Sequence, residues 1–208
     1  MSGDLCPIGP KRARATVETW PGVVPGPAEK GRAVGALVVY ESMFGNTRAV
    51  AEAVADGLRA AMDVEVLEVS RAPLLELLDD VDLLVVGAPT HAFGLSRPET
   101  RRDAAERVGR PVISDTTGMR EWLAEAYSAP RDLPVACFDT HVKVPNLPGR
   151  AGHAAEKRLR RLGANVVGSP TSFYVHGYEG PLYPGEAERA RAWGEELGSL
   201  VAGGTPVR

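Results

Sequence analysis

Residues 36–58, ALVVYESMFGNTRAVAEAVADGL, constrain the fold more than any other stretch of the chain. An apolar run from Ala36 to Tyr40 stops at Glu41, and a short loop follows: Ser42, Met43, Phe44, Gly45, Asn46, Thr47. Apolar residues then return at helical spacing, at Ala49, Val50, Ala53, Val54, Leu58 and Ala61. A buried strand, a glycine turn and a helix start in direct succession open a βαβ unit. The first amides of such a helix have no intrahelical partners, and the helix dipole adds partial positive charge beside them. Ser42, Asn46 and Thr47 add side-chain donors, and Gly45 permits positive φ, so the loop suits an anion, most often phosphate. It contains no lysine and is neither GxxxxGK[ST] nor GxGxxG. The alternative is that Ser42 or Asn46 only caps the helix.

The strand–helix alternation continues along the chain. Strands are expected at Val34–Tyr40, Val64–Val69, Val81–Ala88, Leu133–Phe138 and Asn165–Val175, the last broken by Gly168 and Pro170. Helices are expected at Asn46–Ala61, at 98–109 and 117–127, at Gly152–Leu162 and at Glu186–Val201. VDLLVVGA, residues 81–88, is nearly continuous in apolar residues, as in a strand covered on both faces. The pattern predicts an α/β fold: a doubly wound, five-stranded parallel sheet in the order 2-1-3-4-5. Ligands bind such sheets beyond the strands' carboxyl ends, here the loops after Tyr40, Ala88 and Phe138.

A chain of 208 residues suits one domain. The predicted domain spans 33–203, preceded by a flexible tail over 1–32 containing Pro7, Pro10, Pro21, Pro25 and Pro27. The net charge of −3 argues against nucleic-acid binding. No apolar stretch approaches a membrane span, and residues 1–14 lack a signal-peptide core. Cys6 and Cys137 form no CxxC pair and no metal-ligand spacing. These features lead to the expectation of a cytoplasmic protein.

SMFGNT resembles the phosphate loop of the flavodoxin family, commonly Ser/Thr-x-Thr-Gly-x-Thr after the first strand. Ser42, Gly45, Asn46 and Thr47 match, and Phe44 departs from the threonine common there. GAPTHAFG, residues 87–94, resembles the family's second flavin loop, which implies that Pro89, Thr90, His91, Ala92, Phe93 and Gly94 lie beside the isoalloxazine ring. CFDTHV, residues 137–142, resembles the third, placing Phe138, Asp139, Thr140 and His141 at the flavin. The aromatic stacker frequent in that loop is missing between Phe138 and Tyr174. GPLYPGEAERARAWGEEL, residues 180–197, resembles the family's closing segment.

The resemblance implies noncovalent FMN, its phosphate held by hydroxyls and amides, with Arg48 turned to solvent. It implies an electron-transfer flavoprotein between a reductase and an acceptor protein. The alternatives are an NAD(P)H-dependent quinone reductase of flavodoxin-like type, an oxidoreductase with its own activity, or a degenerate fold that binds partners without flavin. His91, His141 and Asp139 are a candidate metal site by residue type, but they lie in two separate loops without a local ligand signature. No catalytic side chain or metal ligand is assigned. His91, Arg97, His141 and Lys143, opposed by Asp139 and Glu99, predict a less acidic flavin environment than in strongly acidic flavodoxins.

Overall fold

The continuous apolar runs of the sequence become the centre of the sheet. A computed structural model of the chain describes residues 35–144 and 148–203. The tail expected over 1–32 lies outside the described residues. Strand β1 (Ala36–Tyr40) and strand β3 (Leu83–Pro89) are buried along their whole length and pair in parallel, Val38 opposite Val85. Strand β2 (Val64–Glu68) flanks β1 and strand β4 (Pro134–Val142) flanks β3. The parallel order is β2-β1-β3-β4-β5, as expected.

The last position is filled by two short strands. Both β5 (Asn165–Val166) and β6 (Thr171–Val175) pair with β4, at Pro134–Val135 and at Phe138–Val142 respectively. Between them Gly168 takes φ +67° and Pro170 withholds a donor, so the expected break interrupts the ladder. The pairing with β6 corrects the sequence expectation at β4. Asp139, Thr140 and His141 were expected in a loop, but β6 supplies their backbones with partners, and the strand runs on to Val142.

Helix α1 (Asn46–Leu58) and helix α5 (Glu186–Ala202) cover one face, burying Val50, Val54, Leu58, Ala190 and Leu197 against Val38, Val85 and Phe138. Helix α3 (Met119–Glu125) and helix α4 (Ala151–Arg161) cover the other, where Trp122, Leu123, Ala155 and Leu159 meet Val39, Val86 and Cys137. Helix α2 (Pro98–Val108) ends at Gly109 and packs Ala104 with Met43 and Val112 beneath the first loop. Helices α1 and α3 end two or three residues earlier than the periodicity suggests.

Helices α1 and α5 cross at glycines. A Cβ on Gly57 would stand 2.0 Å from the Arg191 carbonyl oxygen, and one on Gly194 would stand 2.2 Å from that of Val54. Only the missing side chains allow this approach.

A buried polar cluster anchors the end of β1. One carboxylate oxygen of Glu41 accepts the Met119 amide at 2.7 Å, and the other has no hydrogen-bond partner among the described residues. Beside it Arg101, also buried, donates to Ser96 Oγ at 2.9 Å and pairs with Glu121 at 2.9 Å. Burial is the largest influence on Glu41 and pushes its carboxyl above the ordinary 4.5, with Glu121 adding to the rise. The Ser96 hydroxyl, the Met119 amide and Arg101 pull it down less.

Gly194→Val should lower unfolding free energy by at least about 3 kcal/mol, because backbone blocks the new side chain; chemical denaturation reads this directly. The raised Glu41 carboxyl sets a second expectation. The fold disfavours its ionised form, so stability from this group falls as pH climbs from the unfolded value through the raised one. Glu41→Gln keeps an acceptor for Met119 and carries no charge. Denaturation from pH 4 upward should show the wild type losing stability relative to this variant as pH rises.

Candidate functional site

Between β1 and β3 successive crossovers leave in opposite directions, so the carboxyl ends of β1, β3 and β4 surround a crevice. A cavity of about 280 Å³ opens there, bounded by the loop after β1, the loop after β3, the end of β4 and the loop after β6.

The first loop is built to present donors. Gly45, at φ +100°, turns the chain into α1 and, having no side chain, cannot itself cap the helix. Asn46 and Thr47, its first two residues, have amides with no intrahelical acceptor. Ser42 is fully buried; its Oγ accepts the amides of Gly45 at 3.1 Å and Arg48 at 3.4 Å. Its hydroxyl hydrogen is left for the cavity, which Ser42 lines. The loop is tied to the segment after α2, where Ser114 and Ile113 donate to the carbonyls of Ser42 and Met43. Thr47 Oγ1 and Thr140 Oγ1 lie 2.8 Å apart. One of their two hydrogens joins them and the other remains free. Arg48 turns to solvent and pairs with Glu52 at 2.8 Å, as expected.

The second loop follows Pro89. The Thr90 amide donates to the Thr140 carbonyl at 2.9 Å, and Thr90 Oγ1 accepts the Ala151 amide at 2.9 Å. His91 and Gly94 exchange two backbone hydrogen bonds across a two-residue turn. The residues between them, Ala92 and Phe93, take φ +44° and +67°. Such turns favour glycine and asparagine, so an alanine and an exposed phenylalanine here store backbone strain. Phe93 is 62% exposed and lines the cavity mouth. Burial holds His91 below its ordinary 6.5, leaving it neutral at pH 7. This corrects its inclusion among the positive charges of the site.

The third group divides. Phe138 is 1% exposed and packs edge-on against Phe173 and Trp193, so it belongs to the core. Asp139 is fully buried and accepts the Gly152 amide at 2.9 Å, bracing the start of α4. Burial raises its carboxyl above the ordinary 3.8, opposed by the Gly152 amide, Ser172, His141 and Arg150. Thr140 and His141 line the cavity. Phe138 and Asp139 are therefore corrected from ligand contacts to support. Among the described residues no group of three His, Cys, Asp or Glu side chains could hold a metal, and no helix is long and apolar enough to cross a membrane.

The loop after β6 was missed. Val175, Gly177 and Tyr178 line the cavity with Val142. The Tyr178 ring meets Phe44 at 5.3 Å and stands edge-on to His91 at 6.3 Å. Arg107 of α2 lies over the Tyr178 ring at 4.2 Å, Arg110 pairs with Glu179 at 3.3 Å, and Asn46 donates to the Glu179 carbonyl at 2.7 Å. Phe44, which costs the loop a hydroxyl, thus gains an aromatic partner. The carboxyl-end rule that selected the other loops applies equally to the end of this interrupted edge strand.

Residues 38–117 match the flavodoxin family model. No curated protein matches the sequence. Among solved structures, a flavodoxin from the domain Archaea shares 21% identity at a TM-score of 0.55, covering 80% of this chain and 97% of that one. Flavodoxin 1 from Bacillus cereus shares 18% at a TM-score of 0.54, over 82% and 99%. The flavodiiron protein from Giardia intestinalis shares 20% at 0.52, over 81% of this chain and 36% of its own. Residues 38–117, from β1 to the segment after α2, carry the sequence pattern of the flavodoxin family, and the rest of the sheet has the flavodoxin fold.

Proposed function

We propose that residues 33–203 bind FMN noncovalently in this cavity and pass electrons between a reductase and an acceptor protein. The observation that carries the reading is the pair of open amides at Asn46 and Thr47 that start α1, with the Ser42, Thr47 and Thr140 hydroxyls gathered around them. A phosphomonoester suits that donor set, since it accepts hydrogen bonds and favours the positive end of a helix. FMN, when bound, supplies one- or two-electron chemistry, and the protein sets its potential.

The residues divide the task by position. Ser42, Asn46, Thr47 and the amides at the start of α1 would hold the phosphate. Pro89, Thr90 and the strained turn at Ala92 and Phe93 would lie along the ring, with Gly94 closing the turn. Thr140 and His141 would form the wall opposite, and Tyr178 with Phe44 would exclude water from the phosphate end. The open mouth beside exposed Phe93 gives a redox partner access to the ring edge.

Two other outcomes remain measurable. Oxidation of NADH or NADPH with a quinone by this chain alone would move the assignment to a quinone reductase. A protein that never retains flavin would favour a partner-binding module.

Thr47→Ala and Ser42→Ala should each weaken FMN binding about tenfold or more, the worth of a charge-assisted hydrogen bond of about 1.5–3 kcal/mol. Riboflavin, which lacks the phosphate, should lose far less in both variants. Fluorescence titration with the two flavins checks this, and equal losses would remove the hydroxyls from the phosphate site.

A further inference from the structure

Asp139 and His141 lie two residues apart on β4, so their side chains share one face of the strand, opposite Thr140. His141 is in the cavity wall, and its side chain is only 2% exposed; that of Asp139 is fully buried. His141 Nδ1 lies 2.7 Å from the Val142 carbonyl oxygen. A carbonyl can only accept, so Nδ1 carries a hydrogen. Nε2 then faces Asp139 Oδ1 at 3.8 Å, and neither atom has a hydrogen-bond partner among the described residues.

That geometry restricts the charge states. With neutral histidine and ionised aspartate, two bare acceptors would face each other in a buried wall, an arrangement costly in low dielectric. A second proton on the pair removes the conflict, carried on Nε2 or on the carboxyl. Such a pair titrates as a unit. The raised Asp139 carboxyl agrees with this.

The surroundings leave the pair sensitive to the cavity. Arg150 donates to Ser172 at 3.3 Å and opposes a net positive charge on the pair. Lys143 lies over the Tyr174 ring at 5.4 Å, and that ring stands edge-on to His141 at 5.2 Å. From α5, Glu186 accepts the Tyr174 amide at 2.8 Å and is paired with Arg189. His91 faces the same cavity and is neutral at pH 7.

We propose that Asp139 and His141 share one proton in the cavity wall, and that negative charge in the cavity holds this proton on the pair to higher pH. The redox part rests on the FMN reading above. Negative charge on a reduced flavin would raise the proton affinity of the pair, which would take up at most one proton from water whether the flavin held one electron or two. No bond of the flavin is made or broken in this step. Reciprocity requires that a loaded pair also favour the reduced flavin.

Nitrogen chemical shifts of the His141 ring test the site in the full chain before any flavin is added. The expected result is a permanently protonated Nδ1 and an Nε2 that titrates, with Asp139→Asn moving that titration to lower pH. An Nδ1 that carries no proton, or an Nε2 titration untouched by Asp139→Asn, overturns the shared proton. If Asp139→Asn does not fold, His141→Gln serves: proton release across the same pH range, followed in unbuffered protein, should fall by one.

The coupling is read with FMN bound, before and after reduction by dithionite. The Nε2 titration should move to higher pH on reduction, and His141→Gln should remove one proton from the pH dependence of the midpoint potential. An unmoved titration, or an unchanged pH dependence, overturns the coupling. Failure to bind FMN overturns the flavin reading and the coupling with it, while the nitrogen shifts still decide the shared proton.

Discussion

The amides at the start of α1 have no acceptor within their own helix, and the rest of the site is arranged around them. Gly45 turns the chain with φ +100° where a capping side chain would otherwise stand. Ser42 spends its acceptor capacity on the loop's own amides and keeps its hydrogen. The segment after α2 holds the loop by two backbone bonds and by Ser114 Oγ, which accepts the Ser42 amide at 3.0 Å. An unpaired helix terminus is a liability in a buried crevice and an asset beside an anion. The sheet order supplies the crevice, and the loop supplies the donors.

The second determinant is the pairing of β4 with β6. It carries β4 four residues past Phe138 and turns Asp139 and His141 into rigid parts of a wall. Side chains on a paired strand are held more firmly than side chains on a loop. The same pairing sends the chain from Val175 into the loop bearing Tyr178, which crosses back to Phe44 and Asn46. Phe44, one departure from the flavodoxin pattern, thus packs against an aromatic ring of this neighbouring loop.

The fold was legible because its signals are local. Apolar runs at β1 and β3, helical periods at α1 and α5, and glycine between β1 and α1 each mark an element without reference to a partner. The cavity walls were legible where they follow a strand end, at Ser42, Met43, Phe44, Asn46 and Thr47 and at Pro89–Phe93. What escaped depends on long-range pairing. Asp-Thr-His looks like a loop until β6 lies beside it. Phe138 looks available to a ligand until Phe173 and Trp193 enclose it. Tyr178 follows a strand that Gly168 and Pro170 disguise, and the strained turn at Ala92 and Phe93 has no compositional marker because neither residue is glycine.

The most direct test of the account is the visible spectrum of the purified chain after excess FMN and passage through a desalting column. Retained flavin absorption, with bands altered from free FMN, is the predicted result. A colourless protein would contradict the central claim, because the donors gathered at the start of α1 would then hold no flavin phosphate.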